Sequence, residues 1–368
     1  MSKGSVMVGM SGGVDSSVAA AILLNEGYNV VGITMQIWPD MDEGRRKMEG
    51  GCCSLSAVDD ARRVADKLGI PYYVLNFKEV FRNKVVDYFK HEYIKGKTPN
   101  PCIACNRYVK FDALLQKAVS MGMDYIATGH YARVEYDRSR ARYLLKKSAA
   151  PDKDQTYALY TLTQDQLSRT LFPIGDYKKD RVREMAREIG LSVASKPDSQ
   201  EICFVEDNDY ARFISESTGS EVKQGFFVDA KGRILGKHRG IIHYTIGQRK
   251  GLGISFGKPM YVLAVNAEKN TVVLGGEDEV YTGKMTAADL NFISIDSLDG
   301  DMEITAKIRY SAKEAAAVIK PASDGKVHVV FETPQRAVTP GQSVVFYNGD
   351  LVVGGGTIVQ GRPSVQEE

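Results

Sequence analysis

Short apolar runs alternate with amphipathic helical stretches over the first half of the chain. Four runs are short and rich in β-branched residues, which is typical of strands. These predicted strands are residues 5–10, 30–36, 72–75 and 125–128. At 16–26 and 58–68, apolar residues recur every three or four positions and a glycine follows, which predicts two helices. The alternation of strands and helices up to about residue 195 predicts an α/β fold with a parallel sheet.

The pattern changes twice further along the chain. Residues 163–195 are helical and basic and predict a helical segment that can form a subdomain of its own. Beyond about residue 208, β-branched and aromatic runs separated by glycines predict small β domains. Clear runs of this kind are 261–265, 271–274, 327–331 and 343–347. We therefore expect three domains, and their predicted bounds are 1–207, 208–281 and 282–364.

Length and charge narrow the classes of protein. A chain of 368 residues is longer than one hydrophobic core usually supports, which agrees with several domains. The 48 basic and 46 acidic residues leave a net charge of +2, so any polyanion site has to be local. No apolar run reaches the ~18 residues of a membrane span, and the start of the sequence lacks the apolar core of a signal peptide. We predict a soluble cytoplasmic protein without a membrane partner.

The segment SGGVDSS, residues 11–17, joins the first predicted strand to the first predicted helix. Gly12 and Gly13 let backbone N–H groups converge beside a helix N-terminus, so the loop is suited to bind an anion. It lacks the lysine of a Walker loop, which disfavours γ-phosphoryl transfer. On the glycines alone, an ordinary turn between strand and helix is equally compatible. The full string resembles the PP-loop of ATP pyrophosphatases, and this resemblance implies that Asp15 orients phosphate or Mg²⁺.

The five cysteines are few and odd in number, which disfavours the disulfide framework of a secreted protein. Cys102 and Cys105 form a C-x-x-C, and Cys105 lies near a predicted helix N-terminus, where the dipole favours the thiolate. A structural zinc site is disfavoured because no second pair of ligands follows, and we assign no metal ligands. An iron–sulfur cluster stays open as an alternative, with Cys102, Cys105 and Cys203 as its ligands. Cys52 and Cys53 have no partner spacing and are most simply small residues at a helix start.

Motifs spread along the whole chain resemble one family, the bacterial tRNA-specific 2-thiouridylases. In order, they are SGGVDSS, GGCCS, NPCIACN, ATGHYA, KDQTYALY, DSQEICF, HYTIGQRKGLGI, KIRYS and PGQSVVFY. The resemblance implies a parallel-sheet PP-loop domain of the adenine nucleotide alpha hydrolase-like type, with 163–195 contacting tRNA. It also implies a small β-rich central domain followed by a C-terminal β-barrel.

The resemblance further implies an activity, the ATP-dependent 2-thiolation of the wobble uridine of tRNA. Adenylation of the uridine C2 oxygen releases pyrophosphate, and sulfur then comes from a persulfide on Cys203 with the help of the catalytic nucleophile Cys105. ATP and Mg²⁺ are the implied cofactors. The implied partners are the tRNAs for Lys, Glu and Gln, and a cysteine desulfurase or sulfur-relay protein.

Binding residues carry over from the family by position. The implied ATP site consists of Gly9, Met10, Ser11, Gly12, Gly13, Val14, Asp15, Ser16, Met35 and Gly129. The implied tRNA contacts are Asn100, Pro101, Cys102, His130, Lys153, Asp154, Gln155, Arg309, Tyr310 and Gln342. For His130, a structural histidine at a strand end is the alternative. Many family members have an aspartate where Cys102 stands, so this chain has a third thiol near the predicted reaction centre.

Three other functions stay open at this point. The first is thiolation that depends on an iron–sulfur cluster held by Cys102, Cys105 and Cys203. The second is a PP-loop amidotransferase or synthetase, which would use the same loop but has no need of Cys105 and Cys203. The third is a non-enzymatic RNA-binding or iron–sulfur carrier protein in which the loop is vestigial.

Overall fold

The computed structural model describes residues 2–37, 55–197, 202–205, 209–218 and 223–361. Cys52 and Cys53 lie outside these residues. The helices are α1 (Val14–Asn25), α2 (Leu55–Leu68), α3 (Lys78–Phe81), α4 (Asp87–Ile94), α5 (Pro101–Cys105), α6 (Leu114–Ser120), α7 (Gln164–Ser168), α8 (Lys179–Glu188) and α9 (Tyr210–Thr218). The strands are β1 (Ser5–Gly9), β2 (Asn29–Gln36), β3 (Tyr72–Asn76), β4 (Tyr125–Thr128), β5 (Ala132–Asp137), β6 (Arg142–Lys147), β7 (Thr170–Leu171), β8 (Gly225–Val228), β9 (Ile234–His238), β10 (Tyr261–Asn266), β11 (Thr271–Gly275), β12 (Tyr281–Phe292), β13 (Met302–Lys307), β14 (Ala315–Pro321), β15 (Val327–Arg336), β16 (Ser343–Asn348) and β17 (Leu351–Gln360). None of these helices is long and apolar enough to cross a membrane.

The described residues form two compact units, which we call the sheet unit and the barrel unit. The sheet unit lies within Met1–Val86, Pro101–Glu206 and Asp350–Val352, and the barrel unit within Asp87–Asn100, Asp207–Gly349 and Val353–Glu368. The sheet unit contains a parallel sheet with the strand order β3-β2-β1-β4-β7. The predicted α/β fold is confirmed, and the observed bounds of β1 to β4 lie within one residue of the predicted strands.

Strand β1 lies at the centre of this sheet, between β2 and β4. Its side chains Val6, Met7 and Val8 are fully buried, as expected for a parallel strand covered by helices on both faces. Helix α1, which follows β1, has buried residues on nearly every side because it packs against the sheet, α2 and α8. The loop between β1 and α1 therefore starts and ends in the core of the sheet unit.

The basic segment 163–195 lies within the sheet unit and does not form a subdomain of its own, which the sequence had left open. It contains α7, the two-residue strand β7 and α8. Strand β7 pairs in parallel with β4 and extends the sheet. Val182 and Ala186 of α8 are buried in the same apolar cluster as Val18 of α1. The apolar stripe of α8 therefore packs against α1 within the sheet unit.

The sheet unit also contains an antiparallel hairpin, β5 and β6, that the sequence pattern did not reveal. Arg133 on β5 donates to the carbonyl of Lys147 at 2.7 Å and pairs with Asp350 at 3.2 Å. Leu351 pairs with Lys146 of β6. A short piece of chain near the C-terminus thus completes the hairpin.

The barrel unit contains two sheets, which confirms the predicted β-rich second half. The smaller sheet has the strand order β10-β11-β8-β9 and buries Phe227, Val262 and Leu274 in its core. In the larger sheet the strands run β12-β15-β14-β13-β16-β17, and β17 pairs back with β12. Closure of this sheet around Val329 and Phe346 makes it the predicted β-barrel.

Candidate active site

The loop between β1 and α1 is held against the backbone of α2. Gly12 has a φ of +66°, and a Cβ at this residue would lie 2.3 Å from the carbonyl oxygen of Ala57. Glycine is therefore required both for the left-handed backbone and for the close approach. Upstream of the loop, the Thr34 hydroxyl donates to the Met10 carbonyl at 2.6 Å, and the Tyr72 hydroxyl donates to Thr34 at 2.7 Å. These bonds fix the point where the chain leaves the sheet.

Serine hydroxyls and backbone amides line the entry of the loop into α1. The Ser17 hydroxyl donates to the carbonyl of Gly13 at 2.8 Å, and Ser16 Oγ accepts from the N–H of Ser11 at 3.2 Å. Gly13 is the N-cap of α1, and within the described residues no side chain caps this helix. The N–H groups of the first turn and the helix dipole are therefore suited to bind an anion.

Asp15 is held by a lysine and a tyrosine from distant parts of the chain. Lys179 Nζ lies 2.9 Å from Oδ1 and 2.8 Å from Oδ2 of Asp15, and the Tyr131 hydroxyl donates to Oδ1 at 2.9 Å. The sequence predicted Asp15 as a site residue but missed Lys179 and Tyr131, since no local pattern indicates a contact across 164 residues. The loop therefore has a lysine beside it, supplied by α8 and not by the loop itself.

A second lysine, Lys196, also reaches the loop. Its Nζ donates to the carbonyl of Gly12 at 3.0 Å and to Asp60 of α2 at 2.7 Å. The ammonium group thereby ties the loop to α2 and brings positive charge next to the first turn of α1. No local pattern indicates this contact either, since Lys196 and Gly12 are 184 residues apart.

The turn after β4 packs against the same loop. A Cβ on Gly129 would lie 2.5 Å from the backbone nitrogen of Ser16, so only a glycine allows this approach. Met35 is half-buried near the end of β2, whose carboxyl end lies at the same edge of the sheet as that of β1. Met10 and Val14 have side chains that are 2% and 3% exposed and lie in the core. Met10 and Val14 can therefore contact a ligand at the loop only through their backbone atoms.

The three described cysteines lie in the sheet unit. Cys102 is exposed, whereas Cys105 and Cys203 are half-buried. Helix α5, which carries Cys102 and Cys105, packs against residues 82–86 of the helical stretch 78–86. The phenylalanine that follows Cys203 packs edge-on against Phe81 of this stretch, with ring centroids 5.9 Å apart. Cys105 and Cys203 are therefore carried by segments that pack on the same stretch of helix.

The described residues contain no group of three or more His, Cys, Asp or Glu side chains that could hold a metal ion. Cys102, Cys105 and Cys203 thus do not form a ligand set for an iron–sulfur cluster. The cluster alternative receives no support from this arrangement.

The predicted tRNA contacts at 153–155 have different surroundings. The side-chain oxygen of Gln155 accepts from the N–H of Tyr131 at 2.9 Å, and Asp154 accepts from the N–H of Ser148 at 3.0 Å. Both side chains thus brace the backbone of the sheet unit. Lys153 instead lines a cavity of about 430 Å³ together with residues of the α8 region. Of the three, Lys153 has the surroundings best suited to a phosphate.

His130 lies in an aromatic cluster. Its Nδ1 is 2.7 Å from the Thr128 hydroxyl, and its ring centroid lies 5.7 Å from that of Phe111 and 6.1 Å from that of Phe172. Burial, with a smaller contribution from Lys110, holds the pKa of His130 well below the ordinary value of 6.5. The imidazole is therefore neutral near pH 7, which favours the structural alternative over a charged contact with RNA.

Arg309 and Tyr310 lie together on the barrel unit. The Arg309 guanidinium donates to the carbonyl of Arg336 at 3.1 Å. The Tyr310 side chain is 48% exposed, and Lys307 Nζ lies 5.4 Å from the centroid of its ring. An exposed ring beside a cation is a surface on which an RNA base can stack.

Gln342, also in the barrel unit, holds the backbone that leads to the NPC motif. Its side-chain amide donates to the carbonyl of Thr98 at 2.8 Å, and the N–H of Thr98 donates to the carbonyl of Pro340 at 3.0 Å. The stretch before Asn100 is thereby anchored. Gln342 has this structural contact, and its contact with tRNA stays a prediction.

Three family models match consecutive parts of the chain. A tRNA methyl transferase HUP domain matches residues 4–207, a tRNA methyl transferase PRC-barrel domain matches 211–276, and an aminomethyltransferase β-barrel domain matches 282–358. The first of these models alone spans more than half of the chain.

Curated relatives are similar over nearly the full length. The tRNA-specific 2-thiouridylase MnmA of Acetivibrio thermocellus is 71% identical over 358 residues, which cover 97% of this chain and 100% of that protein. The tRNA-specific 2-thiouridylase MnmA 1 of Thermoanaerobacter pseudethanolicus is 65% identical over 353 residues, which cover 96% of this chain and 97% of that one. A solved 4-thiouridine synthetase–RNA complex with bound ATP aligns at 20% identity over 56% of this chain and 46% of its own, with a TM-score of 0.35, a likeness too slight to carry an argument. On the identities of these two full-length relatives, the chain belongs to the family of tRNA-specific 2-thiouridylases.

Proposed function

We propose that this chain converts the wobble uridine of tRNA to 2-thiouridine with consumption of ATP. It is an ATP-dependent tRNA thiouridylase, a sulfurtransferase that acts on tRNA. One observation supports the proposal most strongly: a chain of the thiouridylase family has a PP-loop at the carboxyl end of a parallel strand, and its Cys105 and Cys203 lie on segments that pack on one helical stretch.

The surroundings of the loop support ATP as the co-substrate. Uncapped N–H groups at the start of α1 and the ammonium groups of Lys179 and Lys196 lie around the same few residues. Such a site favours the outer phosphates of a nucleotide. Met35 and Gly129 flank the loop and would lie beside the nucleoside.

The donor set fits Mg²⁺ if the ion is shared with phosphates. Asp15 supplies a carboxylate, and the hydroxyls of Ser11 and Ser16, which lie 3.4 Å from each other in the same segment, supply further oxygens. Mg²⁺ prefers oxygen ligands and is usually held by one or two carboxylates together with substrate phosphates. When bound, the ion would neutralise part of the charge on the leaving pyrophosphate, with Asp15 as its protein ligand.

The chemistry requires activation of the base. The C2 carbonyl of uridine is a poor electrophile because both flanking nitrogens donate into it, and its oxygen is a poor leaving group. Transfer of AMP from ATP to this oxygen gives a good leaving group and releases pyrophosphate. A loop that holds the outer phosphates without transferring them suits this reaction, since its N–H groups stabilise the negative charge on the pyrophosphate.

Sulfur delivery uses the two half-buried cysteines. The thiolate of Cys105 attacks the proximal sulfur of a persulfide on Cys203, which forms a Cys105–Cys203 disulfide and releases hydrosulfide. Hydrosulfide adds to C2, AMP leaves, and 2-thiouridine remains. A thiol reductant then restores both cysteines for the next turnover. The shared packing on 78–86 supports this pairing of Cys105 with Cys203.

The RNA partner is a tRNA with a wobble uridine, and we propose those for Lys, Glu and Gln. An anticodon base is only partly stacked, so moving it into a pocket costs less than extracting it from a duplex. Among the described side chains, those with surroundings best suited to such a ligand are Tyr310 with Lys307, and Lys153.

We also propose a cysteine desulfurase or relay protein as the sulfur donor, and the cytoplasm as the location.

The family descriptions name methyl transfer, whereas the relatives are named for thiolation. Thiolation is favoured because a methyl transferase has no use for a pyrophosphate-binding loop combined with Cys105 and Cys203. An amidotransferase or synthetase would need the loop but neither cysteine. The two thiols are therefore the feature to test.

The test is mass spectrometry of nucleosides from unmodified tRNA incubated with ATP, Mg²⁺, cysteine and a cysteine desulfurase. We expect 2-thiouridine with the wild type and with Cys102→Ser, and none with Cys105→Ser or Cys203→Ser. Cys102→Ser is the matched control, since Cys102 lies on the same short helix as Cys105. Product formation by both Cys105→Ser and Cys203→Ser would refute the thiol mechanism. A methylated uridine in place of 2-thiouridine would refute the proposed function.

A further inference from the structure

Asp15, the one acidic residue of the loop, is engaged by a cation that belongs to the protein itself. Lys179 Nζ lies within 2.9 Å of both carboxylate oxygens, and Lys179 is only 9% exposed. The Asp15 side chain is 28% exposed and so can be reached from solvent. Both oxygens that a metal ion would use are therefore already paired with an ammonium group.

An ammonium group that contacts both oxygens of a carboxylate competes with a divalent cation for them. Mg²⁺ binds oxygen at about 2.1 Å with close octahedral geometry, so an ion that used both oxygens of Asp15 would take the place that Nζ has between them. The two cations also repel each other strongly in a partly buried site. We therefore expect a metal that binds both oxygens of Asp15 to displace Lys179.

Lys179 has an alternative position within reach. It lines the cavity of about 430 Å³, and the other basic residues of that lining are Lys153, Lys178 and Arg183. Asp152 and Asp180 line it as well. A phosphate-bearing ligand in this cavity would offer the displaced ammonium group a new anionic partner.

Tyr131 allows Asp15 to stay in place during the exchange. Its hydroxyl donates to Oδ1 at 2.9 Å, its side chain is 2% exposed, and Lys179 Nζ lies 5.8 Å from its ring centroid. A buried tyrosine has few alternative rotamers, so the carboxylate keeps one hydrogen bond whichever cation it faces.

We propose that Lys179 is a positioning residue that occupies Asp15 in the metal-free enzyme, competes with the divalent cation for it, and moves to phosphate when the metal binds. This inference rests on the proposed function for the identity of the metal and the phosphate. In this arrangement the metal and the phosphate support each other's binding. The metal takes Asp15 from Lys179, which makes Lys179 available to the phosphate. The phosphate in turn draws Lys179 away from Asp15, which makes Asp15 available to the metal.

The experiment titrates Mn²⁺ alone into the protein without ATP or tRNA and measures free Mn²⁺ by electron paramagnetic resonance. The variants are Lys179→Met and Lys179→Gln, with Lys178→Met as the matched control, since Lys178 is the exposed neighbour in the chain. We expect both Lys179 variants to bind Mn²⁺ at least about tenfold more tightly than the wild type and the control. Adding Asp15→Asn to Lys179→Met should abolish the gain.

Each outcome has a defined meaning. Equal Mn²⁺ affinity in the wild type and in folded Lys179 variants would overturn the proposal, as would a gain that survives Asp15→Asn. Circular dichroism melts identify any variant that does not fold, and Lys179→Gln keeps a hydrogen-bond donor should Lys179→Met be unstable. A wild type that makes no 2-thiouridine while the tenfold gain is present would reject the proposed function but leave the competition for Asp15 standing.

Discussion

The loop of the sheet unit and the surface around Tyr310 in the barrel unit hold their polar side chains in opposite ways. At the loop, Gly12 touches the backbone of α2, and Asp15 is bonded to two buried side chains. At the barrel surface, Tyr310 is 48% exposed and its neighbour Lys307 lies over the ring. The loop has one geometry, which suits chemistry on a phosphate, whereas the surface can adapt to an RNA whose bases stack in more than one way.

The largest effect is expected for Gly12→Ala, and Gly69→Ala is its control. Both glycines have nearly the same backbone, with φ values of +66° and +67°, but a Cβ on Gly69 meets nothing within 4 Å. We expect Gly69→Ala to lose about 1–2 kcal/mol in free energy of unfolding from the left-handed backbone alone, with thiolation intact. Gly12→Ala should lose roughly 1–3 kcal/mol more and at least about 100-fold in kcat/KM, because the loop must move away from α2.

Chemical denaturation and initial rates of 2-thiouridine formation check this pair. Equal losses of stability and activity in the two variants would mean that the close approach to Ala57 has no special role. The difference between the variants therefore isolates the contact, since the backbone conformation is shared.

The second test moves to the barrel unit and replaces Tyr310 by alanine. Loss of one stacking ring should raise the Kd for tRNA roughly tenfold, because stacking on an aromatic ring contributes about 1–3 kcal/mol per base. ATP binding should stay unchanged. Tyr281→Ala is the control, since that tyrosine is 44% exposed in the same unit. A filter-binding assay measures both, and an equal loss for the two tyrosines would show that Tyr310 has no particular place in RNA binding.

The smallest expected effect concerns pH. Because burial lowers the pKa of His130, the unfolded chain takes up a proton below about pH 6.5 that the folded chain does not. The contribution of His130 to stability is therefore present above pH 6.5 and lost as the pH falls, by at most about 1.4 kcal/mol per pH unit. Burial also lowers the pKa of His238 in the barrel unit, so some slope should remain in a His130→Gln variant.

Unfolding free energies at pH 7.5 and pH 5.5 test this directly. The wild type should lose more stability between these two pH values than His130→Gln does. A slope that is the same in both proteins would mean that folding does not lower the pKa of His130, and the structural interpretation of this residue would lose its support.

The parts of the fold and site that depend on neighbouring residues were predictable from sequence. The bounds of β1 to β4 and the anion-binding loop follow from local apolar runs, glycines and the order of strand and helix. Gly12 is an example, because a glycine between a strand and a helix already predicts a tight anion-binding loop, even when its contact with Ala57 is not known. Four strands of the barrel unit, β10, β11, β15 and β16, were predicted for the same reason.

What the sequence did not reveal depends on contacts between distant residues. The stripe of Val182 and Ala186 indicates that α8 buries one face, but it does not identify α1 as the partner, so the sequence left a separate subdomain open. Asp154 and Gln155 stand in a motif that suggests RNA contacts, yet both side chains bond to nearby backbone. Backbone hydrogen bonds of this kind leave no trace in composition or periodicity.

The two lysines that reach the loop have a consequence for synthesis of the protein on the ribosome. Lys179 and Lys196 follow their partners Asp15 and Gly12 by 164 and 184 residues. At ordinary rates of translation, roughly ten to forty seconds separate the appearance of the loop from that of Lys196. During that time the nascent chain carries the glycines, serines and backbone amides of the site without these two lysines, so we expect nucleotide to bind it more weakly than it binds the complete sheet unit.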